Sequence, residues 1–287
     1  MKSESLVEVT DAVAEMHDHA KAVQRRSKSS VRRHLAEEIR LANALISILT
    51  FMVVGLHSKD RKDRLYPTDW LSPTGVPDPD EVLSLGFCQL ANYAFAIVDL
   101  IEKGLDTPAR ALVRSVAELS QMLIVIAHDR EVFQAYITEA PEGDKKKWYE
   151  LFSSKKIAKR LAFFERKLGA PEFAITETRE WQKESAEFFS QAIHHSFHSV
   201  VIGALPSIPG TENASLCLLG GPNGASGATM THLIISIQMC LGGFFRMIED
   251  VHKFERAIPA SNSFWTGKQL FDTLEPEFRK WLRSKIG

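Results

Sequence analysis

The chain has 287 residues and a mass of 32.2 kDa, enough for one large domain or two small ones with a sizeable core. Its balance, 45% hydrophobic and 25% charged, is that of an ordinary globular protein. A net charge of -1 excludes a global electrostatic pull toward nucleic acid or anionic lipid. Cys88, Cys217 and Cys240 are scattered, odd in number and without CxxC spacing, which predicts buried free thiols rather than a disulfide framework.

The N-terminal stretch MKSESLVEVTDAVAEMHDHA is polar and acidic and lacks the apolar region of a signal peptide. Residues 3–27 read as a polar amphipathic helix. Ser29 and Ser30 are then expected to cap a longer helix running to about His57. The segment DRKDRLYPTDWLSPTGVPDPDE holds four prolines and reads as an irregular connection. Asp78 and Asp80 offer N-caps for a helix through about Lys103, ended by Gly104. LDTPARALVRSVAELSQMLIVIAH predicts a helix capped by Asp106 or Thr107, with Pro108 in its first turn.

A short helix follows over about 129–140, and another from about Lys145 to Leu168, stopped by Gly169. Residues 171–204 predict one or two helices. LPSIPGTENASLCLLGGPNGASGAT is loop-like, with SLCLL as a short strand. Helix resumes from about Thr231 to Arg256, and a terminal helix covers 268–285. No βαβ alternation and no fixed-period repeat is visible. The expected class is all-α, a multi-helix bundle of about eight or nine helices with two long irregular connections. The expected organisation is an N-terminal helical region (1–60), a central bundle (80–256) and a C-terminal helical tail (257–287), folded as one compact unit.

ANALISILTFMVVGL (42–56) and LIISIQMCLGGFFRMI (233–248) are strongly apolar. Both runs fall short of the roughly 20 residues a span requires, and they contain Asn43 and Gln238. They are read as buried core helices, so no membrane span and a cytoplasmic location are expected.

Several apolar helices carry a thin polar stripe. Arg110, Arg114, Glu118 and Gln121 recur at helical spacing on an otherwise apolar helix. Gln89, Asn92 and Asp99 do the same on the preceding one, and Glu187, Gln191, His194 and His198 on the later SQAIHHSFHSV helix. Three readings fit: solvent faces, a structural network of buried pairs, or stripes that face each other across a pocket. The residues assigned to such a polar pocket are Asp99, Arg110, Arg114, Glu118, Gln121, His194, His195 and His198.

Other chemistries are weaker in the sequence. His194 and His198 lie one turn apart, but no HExxH occurs and Glu249-x-x-His252 stands alone, so no metal is expected. GGPNGASG is neither a P-loop nor a GxGxxG nor a GxSxG turn, and no cofactor is expected. RMIEDVH spaces Arg246 and His252 as catalytic residues of the HEPN ribonucleases are spaced, with Arg246 to stabilise charge and His252 to move a proton. Met247 departs from the polar residue usual after that Arg. Two basic runs, 21–34 and 145–160, suit RNA or an acidic partner, or are solvated helix faces. A homo-oligomer is compatible with all of this.

NYAFAIVDLIEKGLDTPARALVRSVAELSQMLIVIA resembles a family of uncharacterised bacterial helical proteins with a G-x-x-x-x-A-x-x-L-x-R-S-x-x-E core. The resemblance covers roughly residues 85–255. It implies an all-helical fold and places the family's polar positions on Arg114, Glu118 and either His195 or His198. It also implies a setting near phage-defence loci and a distant HEPN kinship, without any reaction. The expected function is a ligand- or partner-binding module in stress or phage defence, with a HEPN-like ribonuclease toxin as the alternative.

Overall fold

A computed structural model describes residues 2–57, 64–66, 70, 78–138, 144–193, 224–246, 248–249, 259 and 261–286. The described residues form helices joined by turns, with no strand among them, so the all-α expectation holds. In chain order the helices are α1 (Lys2–His34), α2 (Ala36–Leu56), α3 (Pro79–Glu102), α4 (Asp106–His128), α5 (Arg130–Ile137), α6 (Asp144–Phe152), α7 (Ser154–Lys167), α8 (Glu172–Ile193), α9 (Ser226–Arg246) and α10 (Ser263–Ile286).

Local chemistry sets most of these bounds. Asp78 caps α3, its side chain accepting from the Asp80 amide, and Pro79 takes the first helical position, where its missing N–H costs nothing. Gly104, at φ 74°, reverses the chain between α3 and α4. Asp129 caps α5 through the Val132 amide. Gly169, at φ 77°, follows α7.

Other bounds differ from expectation. Ser29 and Ser30 cap nothing: α1 runs through them to His34, and the break falls at Leu35. Lys28 and Arg32 in this stretch both bind Glu102 of α3, which holds the helix on course. Ser153 divides the stretch 145–168 into α6 and α7. Leu105, not Asp106 or Thr107, occupies the cap position of α4, because the Asp106 carboxylate is engaged elsewhere. The SLCLL strand expectation lies outside the described residues.

The core sits between α2, α3, α4 and α9, with Leu45, Phe87, Val113 and Phe244 fully or almost fully buried. α10 packs along the other side of α2. The approach is tight at Gly55, where a Cβ would collide with the Phe264 backbone and the carbonyl accepts from Asn262 Nδ2 at 3.2 Å. On the opposite flank α7 and α8 lie against α4.

Helix lengths overturn one expectation. α2 and α9 are 21 residues each, α3 is 24 and α4 is 23, and all four are apolar enough to cross a membrane. The apolar runs 42–56 and 233–248 looked too short only because each helix continues beyond its run. At 1.5 Å per residue, a helix the length of α2 spans about 31 Å, the thickness of a hydrocarbon core. The expectations of no membrane span and of a cytoplasmic location are therefore withdrawn. Within the bundle, 39% to 67% of each apolar stretch is buried against other helices.

Candidate functional site

α4, α7, α8 and α9 enclose a cavity of about 600 Å³. Each helix gives it one face, as helical periodicity requires. From α4 come Arg114, Ala117, Glu118, Gln121 and Ile124; from α9 come Ser236, Met239, Cys240 and Gly243, again three and four residues apart. α7 supplies Leu161, Phe164 and Glu165, and α8 supplies Arg179, Gln182 and Phe189. The buried part of the wall is mainly apolar: Leu161, Phe164, Phe189 and Cys240 are all buried. The exposed part is charged, with Glu118, Lys183 and Glu187 open to solvent.

Two ion pairs mark the polar side. Arg114 Nε donates to Glu118 Oε1 at 2.9 Å, with the side chains 37% and 51% exposed. Deeper in, Arg179 donates to Glu165 and to the Gln182 side-chain oxygen. The Arg179 Nε is buried without a hydrogen-bond partner. Burial pushes the Glu165 carboxyl above the usual range, although the Arg179 guanidinium opposes this. At the far end His128 packs its ring on Phe164, centroids 4.4 Å apart.

Cys240 and Ser185 are two nucleophilic side chains that line the cavity. Burial pushes the Cys240 thiol up to about 12, with Ser120 pulling weakly the other way, so it stays protonated and inert. Ser185 lines the cavity and its hydroxyl lies 3.1 Å from His232 Nδ1. The Ser185 hydroxyl also lies 2.6 Å from the Trp181 carbonyl, to which it donates. Trp181, Phe188 and Phe189 surround His232, and burial pushes its pKa down to about 4. A ring with so low a pKa is a weak base for Ser185. No group of three or more metal-ligating side chains occurs among the described residues.

Of the residues assigned to a pocket from the sequence, Arg114, Glu118 and Gln121 line this cavity. Arg110 does not. It is fully buried one turn earlier, where its Nη2 donates to Asp106 Oδ2 at 2.6 Å and its guanidinium stacks over Phe188, 5.0 Å from the ring centroid. Asp106 also accepts from the Thr229 hydroxyl at 2.8 Å, which ties α4 to α9. Asp99 is half exposed on α3 and binds Lys103. His194, His195 and His198 lie outside the described residues. Arg246 ends α9, 57% exposed, with Glu275 at 3.8 Å, and His252 is outside the described residues. In the basic stretch 145–160, Lys147, Lys156 and Arg160 bind backbone carbonyls of their own neighbourhood.

Residues 80–201 match DUF5677, a family of unknown function. The match spans α3 to α8 and so includes three of the four cavity walls, α4, α7 and α8. The resemblance seen in the sequence is thereby supported at the level of an uncharacterised family. No curated protein and no solved structure matches the chain.

Sequence reasoning missed Asp106, Glu165, Arg179 and Gln182. Asp106 stood four residues before Arg110 and was legible as its partner, but its position at a helix start suggested a cap. Glu165 and Arg179 sit in charged segments, FFERK and ETREW, that look solvated until tertiary packing turns them inward.

Proposed function

We propose that the chain is a ligand-binding module that takes a small amphiphilic molecule into the cavity between α4, α7, α8 and α9. One observation carries the reading: a single cavity of about 600 Å³ combines an apolar interior with a charged rim, which is the size and lining of small-molecule sites. The apolar body of the ligand rests on Leu161, Phe164, Phe189 and Met239. Its polar end meets Arg114, Glu118 and Gln121. The lining charges balance, with Arg114, Arg179 and Lys183 against Glu118, Glu165 and Glu187, so the rim suits a dipolar or singly charged group better than a polyanion.

Native mass spectrometry of the purified chain tests this. A small molecule should remain bound and should be lost in Ala158→Trp, which fills the cavity from α7. Absence of any bound mass, or its retention in the variant, counts against the reading. The family resemblance extends the proposal to bacterial stress or phage defence, and deletion of the gene should then change phage plating. Unchanged plating removes that part.

A further inference from the structure

α7 has two faces of opposite character. Its inner face, with Leu161, Phe164 and Glu165, is a wall of the cavity. Its outer face carries Lys155, Lys156, Lys159, Phe163, Arg166 and Lys167, all of them exposed. At about 100° per residue these six fall within roughly one third of the helix circumference, and no acid stands among them. Phe163 lies inside this cationic strip and is 52% exposed. From Lys155 to Lys167 the strip is about 18 Å long at 1.5 Å per residue.

Part of this charge is already engaged. Arg166 binds Glu172, and the Lys156 ammonium donates to the Glu150 carbonyl. The other ion pairs of α7 are made by Arg160 and Glu165, so Lys155 and Lys159 stand without an acid among the described residues. The Lys167 ammonium sits over the Phe163 ring, 4.7 Å from its centroid. A net charge of -1 for the whole chain conceals the strip. Exposed Glu177, Glu180 and Glu184 give α8 the opposite sign. The attraction therefore belongs to α7 rather than to the whole flank, and it orients the chain.

We propose that the outer face of α7 docks on an anionic lipid surface. Lys155, Lys159 and Lys167 meet the lipid phosphates, and Phe163 enters between the headgroups. Lysines around one exposed aromatic ring suit a diffuse layer of negative charge above an apolar one. Nucleic acid fits less well, because the two arginines of α7, the side chains that grip phosphate bidentately, are held by Asp129 and Glu172. The cavity points the same way: amphiphiles collect at lipid surfaces, and α7 stands between such a surface and the cavity. That link rests on the binding reading above, whereas the docking itself stands on the outer face of α7.

Sedimentation of the full-length chain with phosphatidylcholine vesicles, with and without phosphatidylglycerol, tests this. Binding is expected only where phosphatidylglycerol is present, and molar salt should release it, since the Debye length then shrinks to about 3 Å. The triple variant Lys155→Gln, Lys159→Gln and Lys167→Gln should bind on the order of 100-fold more weakly, at about fivefold per lysine. Phe163→Ser should weaken binding and leave its salt dependence unchanged. Lys21→Gln with Arg25→Gln and Arg26→Gln removes as much charge from α1 and should bind as the wild-type chain does. So should Ala158→Trp, which fills the cavity, and the docking and the cavity readings thus fail separately. No binding to either vesicle, equal binding to both, retention in molar salt, or full binding by the α7 triple variant overturns the proposal. So does loss of binding in the α1 variant or in Ala158→Trp, or a chain that ignores vesicles and holds single-stranded RNA through the same lysines.

Discussion

α4 carries two arginine–acid pairs at the same spacing, and they live in different media. Asp106 and Arg110 are 1% and 0% exposed and 2.6 Å apart, with Thr229 of α9 joined to the same carboxylate. Arg114 and Glu118, one turn on, are 37% and 51% exposed at the edge of the cavity. The first pair has lost its water and must keep its partners, because an unpaired charge there is costly. It fixes how α4 crosses α9. The second keeps its water, holds loosely, and can exchange one partner for a ligand at little cost. Identical spacing therefore decides only who can pair. Burial, set by helices far away in sequence, decides what the pair does.

The contrast is easiest to break at the dry pair. Asp106→Ala strands the Arg110 cation in the core and should cost about 3–5 kcal/mol in denaturant unfolding. The double change Asp106→Leu with Arg110→Met should be milder than the single one, since it removes both charges and roughly keeps volume. A loss for Asp106→Ala as small as that at Glu118 would erase the distinction.

A second buried acid sharpens it by pH. Asp80 accepts from the Leu65 and Tyr66 amides, at 2.6 and 3.2 Å, yet burial raises its carboxyl from 3.8 to about 7, with Asp78 adding to the rise. The folded state thus holds a proton that the unfolded chain releases. Stability from this group is complete below about pH 4 and falls as pH rises through about 7. The thermal unfolding midpoint should be lower at pH 8 than at pH 5, and Asp80→Asn should flatten that slope. An unchanged slope in the variant would show that the carboxyl is not the cause.

Smaller effects follow. Thr229→Val removes one hydrogen bond to the Asp106 carboxylate and should cost about 1.5–3 kcal/mol. Glu118→Ala should cost only about 0.3–0.5 kcal/mol, as half-exposed helical pairs do. A cost of several kcal/mol there would mean that the open pair is structural after all.

The difference between these pairs was half legible in the sequence. Periodicity and punctuation showed the all-helical class, the Asp78 cap and the Gly104 and Gly169 stops, because those are local events. They also showed that Arg114, Glu118 and Gln121 share a face. They could not show that Arg110, on nearly the same stripe, turns into the core. Nor could they bring Glu165 and Arg179 to the cavity, since those positions follow from how α7 and α8 dock on α4. The membrane reading failed for a local reason: the apolar run was counted where the full helix should have been.

The central claim is that the open pair and the apolar wall beside it form one binding site. Titration with 1-anilinonaphthalene sulfonate, an amphiphile with one anionic group, tests it most directly. The account predicts saturable fluorescence enhancement at a single site, abolished by Ala158→Trp and weakened by Arg114→Gln, with the unfolding transition of both variants intact. Enhancement that never saturates, or that is the same in the wild-type chain and both variants, would contradict it.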